Sequence, residues 1–302
     1  MRTRPTMPAD TRGPVEQTGP TTRRRQLGVR LLELREASGL SAEEAGERAG
    51  VSKATVSRYE RAKGNVRWNQ VDALCRAYGA SDEEREELID LAKNSRPTET
   101  WWVPFAGKMT DQMRMLLALE TEASRISHHS VGVIPGLLQT LQYAQEIKAT
   151  PGNAIPVQDL QDYLTMRMRR QEILDRDAPP AYHVVLDEAV IRRSVGGPEV
   201  MARQLDHLLR RGQEPNVCIQ VLPFSAGAYS AALSSFIVFG GPDPSLDVVF
   251  IENQVGSLFL EESASLNEYA RAIDFLRQEA LDPTASAELI AEASKTHMRN
   301  RN

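Results

Sequence analysis

The sequence predicts two domains: a small, mainly α-helical N-terminal domain of five helices, and a larger C-terminal domain of mixed α/β (α+β) type. The chain has 302 residues, a length that suits two domains of ordinary size. Apolar residues recur with a helical period up to residue 94. Beyond it, five short apolar runs alternate with longer helical patterns, which is typical of a sheet packed against helices.

The first two helices are indicated by apolar spacing and by end signals. Apolar residues recur at i, i+4 and i+7 from Leu27, and Gly39 is placed to end this helix. Ser41, followed three residues later by Glu44, forms a capping-box pattern. We therefore expect a second short helix that runs through Ala49.

Two glycines and three polar residues mark the helices that follow. Gly50 permits the left-handed backbone of a tight turn, and Ser52 is placed to cap a third helix. A fourth apolar pattern ends at Gly79, and Ser81 with Glu84 is placed to cap the fifth helix. Five short helices within about 70 residues predict a compact bundle.

The outer face of the third helix is the candidate functional surface. If Val56 and Tyr59 point inward at about 100° per residue, then Ala54, Arg58 and Arg61 lie on the opposite face. A polar outer face is also typical of a solvated helix, but a helix of this width fits the DNA major groove. The candidate DNA-binding residues are Ser52, Lys53, Ala54, Thr55, Ser57, Arg58, Arg61 and Lys63.

The charge distribution favours the DNA-binding interpretation. The net charge of the chain is −5, yet residues 1–67 hold 14 Lys and Arg against 8 Asp and Glu, whereas the rest carries a net −11. A basic domain beside an acidic one is the pattern expected when only the first meets a polyanion.

Residues 1–22 contain four prolines and predict a disordered tail. The arginines at 23–25 add attraction to phosphate or belong to a solvated leader.

The segment LGVRLLELREASGLSAEEAGERAGVSKATVSRYERAKG, residues 27–64, resembles the lambda-repressor-like helix-turn-helix domain of Cro and repressor type, the xenobiotic-response-element-like regulators. This resemblance implies that Arg35 and Glu60 pair beneath the recognition helix; the residues alone are equally compatible with an exposed ion pair. Ala42 stands where the family usually has a phosphate-binding Gln, and Ala45 stands where it usually has a larger apolar residue.

The expected C-terminal elements lie in one domain, residues 104–295. Pro97 and Pro104, together with the absence of a helical period, indicate a linker at residues 95–103, whose Trp101 and Trp102 we expect to dock onto this domain. Residues 296–302 are expected to form a disordered tail. Strands are predicted at the apolar runs that begin at 183, 217, 236, 248 and 257. Helices are predicted at 111–126, 137–149, 159–174, 198–211, 265–280 and 284–295, with Ser265 and Glu268 as a capping box.

A second resemblance covers about residues 100–290. The segments 131–144, 183–209 and 216–229 resemble the large C-terminal domain of actinobacterial, WhiJ-like and antitoxin-like regulators. The resemblance implies a DNA-binding regulator that meets a small partner protein from a neighbouring gene. It implies no settled biochemical role for the domain itself.

An enzymatic role for the larger domain is the third possibility, but the spacing of its polar residues does not favour it. Acid–base or metal chemistry would draw on His183, Asp187, Glu188, Ser225, Glu252, Glu261 and Glu262. The adjacent His128 and His129 lack metal-ligand spacing, and no G-x-S-x-G or P-loop motif occurs. We therefore expect no catalytic residue, metal or cofactor. The basic run at 167–170 is interpreted as a solvated helix face.

These observations predict a sequence-specific transcriptional regulator whose C-terminal domain receives a protein or small-molecule signal. The alternatives are an antitoxin-like autorepressor and, third, a hydrolase fused to a DNA anchor. The expected partner is a near-palindromic duplex bound by a homodimer. No apolar run is long enough for a membrane helix, so we expect a cytoplasmic, nucleoid-associated protein. Cys75 and Cys218 are expected to be reduced and buried.

Overall fold

The structure is a computed structural model that describes residues 22–62, 66–94, 101, 102, 105, 107, 109–150, 157–241, 244–253 and 256–299. The predicted tail at residues 1–22 lies outside this range except for its last residue. Most of the predicted linker and Lys63 also lie outside the described residues.

The N-terminal domain consists of five helices around one apolar core, as the sequence predicts. Their bounds are α1 Thr22–Ala37, α2 Ala42–Ala49, α3 Lys53–Glu60, α4 Trp68–Tyr78 and α5 Asp82–Asn94. Leu27, Leu31, Val56, Tyr59 and Leu74 are among the side chains that fill the core. The three expected glycines follow α1, α2 and α4 with positive φ, between 67° and 76°. Helix ends and core both follow from local sequence signals.

The C-terminal domain is a six-stranded sheet with helices on both faces. The strands are β1 Arg125–Ser130, β2 Ala181–Asp187, β3 Val217–Leu222, β4 Phe236–Gly240, β5 Val248–Asn253 and β6 Gly256–Leu260. The helices are α6 Asp111–Glu122, α7 Leu141–Ala149, α8 Val157–Gln171, α9 Glu188–Arg192, α10 Pro198–Arg211, α11 Ser263–Glu279 and α12 Pro283–Arg299. The strand order is β3-β2-β1-β4-β5-β6. β1, β2 and β3 are parallel, and β4, β5 and β6 continue the sheet antiparallel. The five predicted strands are thereby confirmed.

The central strand β1 corrects the sequence prediction, which had extended a helix to Ile126. α6 ends at Glu122, and residues 125–130 pair with β2 on one side and β4 on the other. This strand reads RISHHS, and its Ser127, His129 and Ser130 are buried polar residues. Because three of its four buried positions are polar, the strand lacks the apolar alternation by which a strand is recognised.

The ends of the last two helices also differ from the prediction. α11 begins at Ser263 after Glu262 without a side-chain cap, so the Ser265–Glu268 capping box is wrong. α12 continues to Arg299, so residues 296–299 belong to the domain and not to a tail. The reason is His297, which is buried with its Nε2 2.9 Å from the carbonyl oxygen of Ile191.

Two arginines pair with carboxylates that lie far away in the sequence. Arg170 on α8 is buried and forms a two-point ion pair with Glu120 on α6, so this part of the basic run is not a solvated face. Arg25 in the first turn of α1 lies 2.6 Å from Glu261, the residue after β6.

Trp102 is buried against Met109 and Leu117 of the C-terminal domain, as predicted. Both cysteines are free; Cys75 is buried and Cys218 only half-buried.

Candidate nucleic-acid interface

The turn between α2 and α3 is fixed by local hydrogen bonds. Ser41 and Glu44 form both bonds of the capping box at the start of α2. Gly50 adopts φ 67° after α2, and the N–H of Val51 donates to the carbonyl of Gly46 at 2.8 Å. A Cβ at Gly46 would lie 2.7 Å from the Val51 carbonyl oxygen, so only glycine permits this close approach. The start of α3 is therefore held in one place.

α3 buries one face and presents the other to solvent. Val56 and Tyr59 are fully buried, as the period predicts. The hydroxyl of Tyr59 donates to Oε1 of Gln70 and accepts from the N–H of Arg67, which ties α3 to the start of α4. Of the predicted DNA-binding residues, Ser52, Lys53, Ala54, Arg58 and Arg61 are exposed, and Thr55 and Ser57 are half-buried.

The polar groups at the start of α3 suit an anion. The Ser52 hydroxyl accepts from the N–H of Thr55 at 3.1 Å and thereby caps the helix. Free N–H groups and the helix dipole at such an end favour phosphate. Lys53 contacts Glu43 at 3.3 Å, but more than 60% of each side chain is exposed, and a pair in that position holds the lysine only weakly. Lys53 therefore remains accessible to a phosphate.

The two exposed arginines extend from the same helix. The Arg58 guanidinium lies 5.8 Å from the centre of the Tyr59 ring, a cation–π contact that leaves its hydrogen-bond donors for another partner. Arg61 follows the last turn of α3 and is exposed. Planar guanidinium groups on the outer face of such a helix can donate two hydrogen bonds to a guanine edge.

Beneath α3 the structure brings together the two residues that the resemblance pairs. Arg35 Nε donates to Glu60 Oε1 at 2.6 Å, Nη2 donates to Oε2 at 3.3 Å, and Nη1 donates to the Leu40 carbonyl at 2.9 Å. The two side chains are 16% and 9% exposed. The hydrogen bond to Glu60 raises the pKa of Arg35, so the guanidinium stays charged and α3 is anchored to α1.

Sequence reasoning missed Gly28, where the backbones of α1 and α3 approach each other too closely for a side chain. A Cβ at this position would lie 2.7 Å from the carbonyl oxygen of Glu60 and 2.8 Å from that of Tyr59. Gly28 stands one residue after the apolar Leu27, within a pattern that otherwise reads as an ordinary helix. A glycine in the middle of a helix is unfavourable by itself and was the available signal.

The structure does not bring the polar residues considered for catalysis in the C-terminal domain together into one site. Asp187 caps α9 and accepts from the Tyr229 hydroxyl at 2.7 Å. Glu188 accepts from the N–H of Phe224 at 2.8 Å, and His183 Nε2 lies 2.6 Å from Gln220 Oε1. The other four differ in surroundings: Ser225, Glu252 and Glu262 are exposed, and Glu261 meets Arg25. Within the described ranges, no three His, Cys, Asp or Glu side chains are placed to hold a metal ion.

The fold and this surface define a helix-turn-helix protein with a larger C-terminal domain. Residues 26–88 match the family described as a helix-turn-helix domain. Residues 113–292, more than half of the chain, match the family described as a domain of unknown function, DUF5753, and the protein belongs to that family. No curated protein and no solved structure matches the chain. Among the helices that the structure describes, none is long and apolar enough to cross a membrane.

Proposed function

We propose that the protein is a sequence-specific, DNA-binding transcriptional regulator of the Cro and repressor type. The observation that carries this proposal is the outer face of α3, where Arg58 and Arg61 extend beside the Ser52 cap and no large hydrophobic side chain is exposed. α3 is held in position by a glycine turn, a helix cap and the Arg35–Glu60 pair. A helix whose outer face only contacts water would not need to be held so firmly. Rigid presentation of donors is what base recognition requires.

In this proposal the groups of α3 divide between phosphate and base contacts. Ser52, Lys53 and Lys63 bind phosphates and position the protein, because contacts to the backbone carry no sequence information. Arg58 reads a base edge, with Ala54, Thr55, Ser57 and Arg61 beside it in the groove. A homodimer would place two recognition helices in successive major grooves, so the operator is a near-palindrome with half-sites about 34 Å apart. Such a protein acts in the cytoplasm, at the nucleoid.

The C-terminal domain is proposed to receive a protein or small-molecule signal. It has its own apolar core on each face of the sheet, and it contacts α1 through Arg25 and Glu261. α1 in turn holds α3 through Arg35. This chain of contacts supports a route from the larger domain to the recognition helix. The antitoxin-like alternative has no separate support among the described residues.

The proposal is tested by selecting duplexes from a random pool with the full-length protein at about 150 mM salt, where unspecific phosphate binding is weak. We expect an enriched near-palindrome. Arg58→Ala should weaken binding to it by about 1–3 kcal/mol and relax preference at one base pair. The matched control is Arg203→Ala, since Arg203 is an exposed arginine on α10 of the other domain. Equal losses for all sequences would remove Arg58 from base recognition, and a pool without enrichment would contradict the proposal.

A further inference from the structure

The two edges of the six-stranded sheet differ in whether the rest of the chain covers them. At β3 the edge is closed: the N–H of Leu281 donates to the Val221 carbonyl, the Val221 N–H donates to the Ser286 hydroxyl, both at 2.9 Å, and α12 packs along the strand. At the opposite edge, β6 pairs with β5 and with no other strand of the described residues. In the described part of the chain, no backbone group of residues 257–260 has a hydrogen-bond partner beyond β5.

The free edge lacks the features that prevent most edge strands from pairing with another chain. Natural sheets protect exposed edges with lysine, proline, a bulge or a covering helix. β6 reads GSLFL, which contains neither a charge nor a proline, and Leu258 at its centre is 53% exposed. Glu261 directly after the strand is paired with Arg25, so the charge nearest to this edge is partly compensated. An uncharged strand with a free backbone row and an exposed leucine is ready to pair with another strand.

We propose that β6 pairs antiparallel with β6 of a second copy of this chain, so that the two six-stranded sheets join across a two-fold axis. Centred on Leu258, this register sets Leu258 against Leu258 of the partner subunit, Ser257 against Phe259, and Gly256 against Leu260. Facing side chains in an antiparallel pair lie about 4.5–5.5 Å apart, so the two leucines cover each other. Apolar burial adds to the main-chain hydrogen bonds.

The occupant is a second copy because the edge is complementary to itself. A two-fold interface repeats the same patch on both subunits, and here that patch holds no charge that would meet its own kind. In the centred register each Glu261 lies past the end of the paired segment, so the carboxylates do not face each other. The inference rests on the proposed function at one point: a near-palindromic operator calls for two recognition helices related by a two-fold axis.

The test is the oligomeric state of the full-length protein without DNA, measured by sedimentation between about 1 and 100 μM. We expect a dimer whose dissociation constant rises at least tenfold in Leu258→Lys, because a lysine there meets its own copy across the axis. Leu233→Lys is the control, since Leu233 is 93% exposed and lies outside the edge. A monomer throughout this range would overturn the proposal, as would a dimer that Leu258→Lys leaves unchanged.

A cross-link provides a second readout that does not depend on a disruptive substitution. Leu258→Cys places two thiols opposite each other, and mild oxidation should yield a covalent dimer. Leu233→Cys should yield none, and it also controls for the native Cys75 and Cys218. Absence of the Leu258→Cys cross-link overturns the register. A monomer that still selects a DNA sequence would overturn the edge pairing alone, whereas a cross-linked dimer that selects none would overturn only the proposed function.

Discussion

Glu60 holds the recognition helix to α1 through one guanidinium. Its carboxylate accepts two hydrogen bonds from Arg35, whose third donor reaches the Leu40 carbonyl. Both side chains are largely withdrawn from solvent, so Glu60→Ala leaves Arg35 with an uncompensated charge. We expect a loss of about 2–4 kcal/mol in the free energy of unfolding of the N-terminal domain. Urea titration followed by circular dichroism measures it, with Glu47→Ala at an exposed position of α2 as the control. Equal stability of the two variants would make the pair an ordinary surface contact.

His128 makes the stability of the C-terminal domain depend on pH. Its Nδ1 lies 3.1 Å from the Tyr182 hydroxyl, and burial, with Arg170 and His129 nearby, lowers its pKa to about 3. The unfolded chain has the ordinary histidine pKa near 6.5, so between these values only the unfolded state binds the proton. Stability attributable to this residue is therefore full above pH 6.5 and falls as the pH drops toward 3.

The matching prediction concerns His128→Asn, in which an amide oxygen replaces Nδ1 near Tyr182. Relative to this variant, the wild-type free energy of unfolding should fall by about 1.4 kcal/mol for each pH unit between 6 and 4. Denaturation series at several pH values give the difference, in which the contributions of groups that do not interact with His128 cancel. Parallel curves would show that His128 is protonated in the folded protein.

The contact between α1 and α3 depends on a missing side chain. Because a Cβ at Gly28 would approach two backbone carbonyls of α3 to within 2.8 Å, Gly28→Ala must displace one helix from the other. We expect a loss of about 1–3 kcal/mol in the free energy of unfolding and weaker DNA binding, since α3 moves with it. The control is Gly132→Ala, where a Cβ meets no atom within 4 Å. Unchanged stability of Gly28→Ala, measured by urea titration, would show that the two helices separate at little cost.

Elements with strong local signals could be predicted from the sequence, and elements held by distant partners could not. In the N-terminal domain, glycines with positive φ follow α1, α2 and α4, and serine side chains cap α2 and α3; the five predicted strands are apolar runs. The outward face of α3 follows from its period alone. β1 was missed because three of its four buried positions are polar, and the partners of Arg25 and Arg170 could not be predicted because they lie far along the chain. The close approach at Gly28 has only a weak sequence signal, a glycine within a helix, because the partner that makes it necessary is the end of α3.

The charge asymmetry of the chain has a structural counterpart where the two domains meet. Arg25 lies in the first turn of α1, where the helix dipole disfavours a cation, and only 8% of its side chain is exposed. Burial lowers the pKa of Arg25, and the charges of Glu261 and Glu122 act against this effect. This arginine therefore contributes to the contact between the domains, and neither adds to phosphate attraction nor belongs to a solvated leader.

The strength of this contact can be measured with one pair of carboxylates. Glu261→Gln removes the charge that faces Arg25 while it keeps a hydrogen-bond acceptor, and we expect a loss of about 1–3 kcal/mol in stability, because one partner is buried and the other is 45% exposed. Glu262→Gln is the matched control, since Glu262 is the exposed neighbour before α11. Calorimetry of Arg25→Gln, Glu261→Gln and the double variant completes the cycle. If the two side chains hold the domains together, the loss of stability in the double variant should differ from the sum of the two single losses by more than about 0.5 kcal/mol. Strict additivity of the two losses would show that the domains associate without this pair.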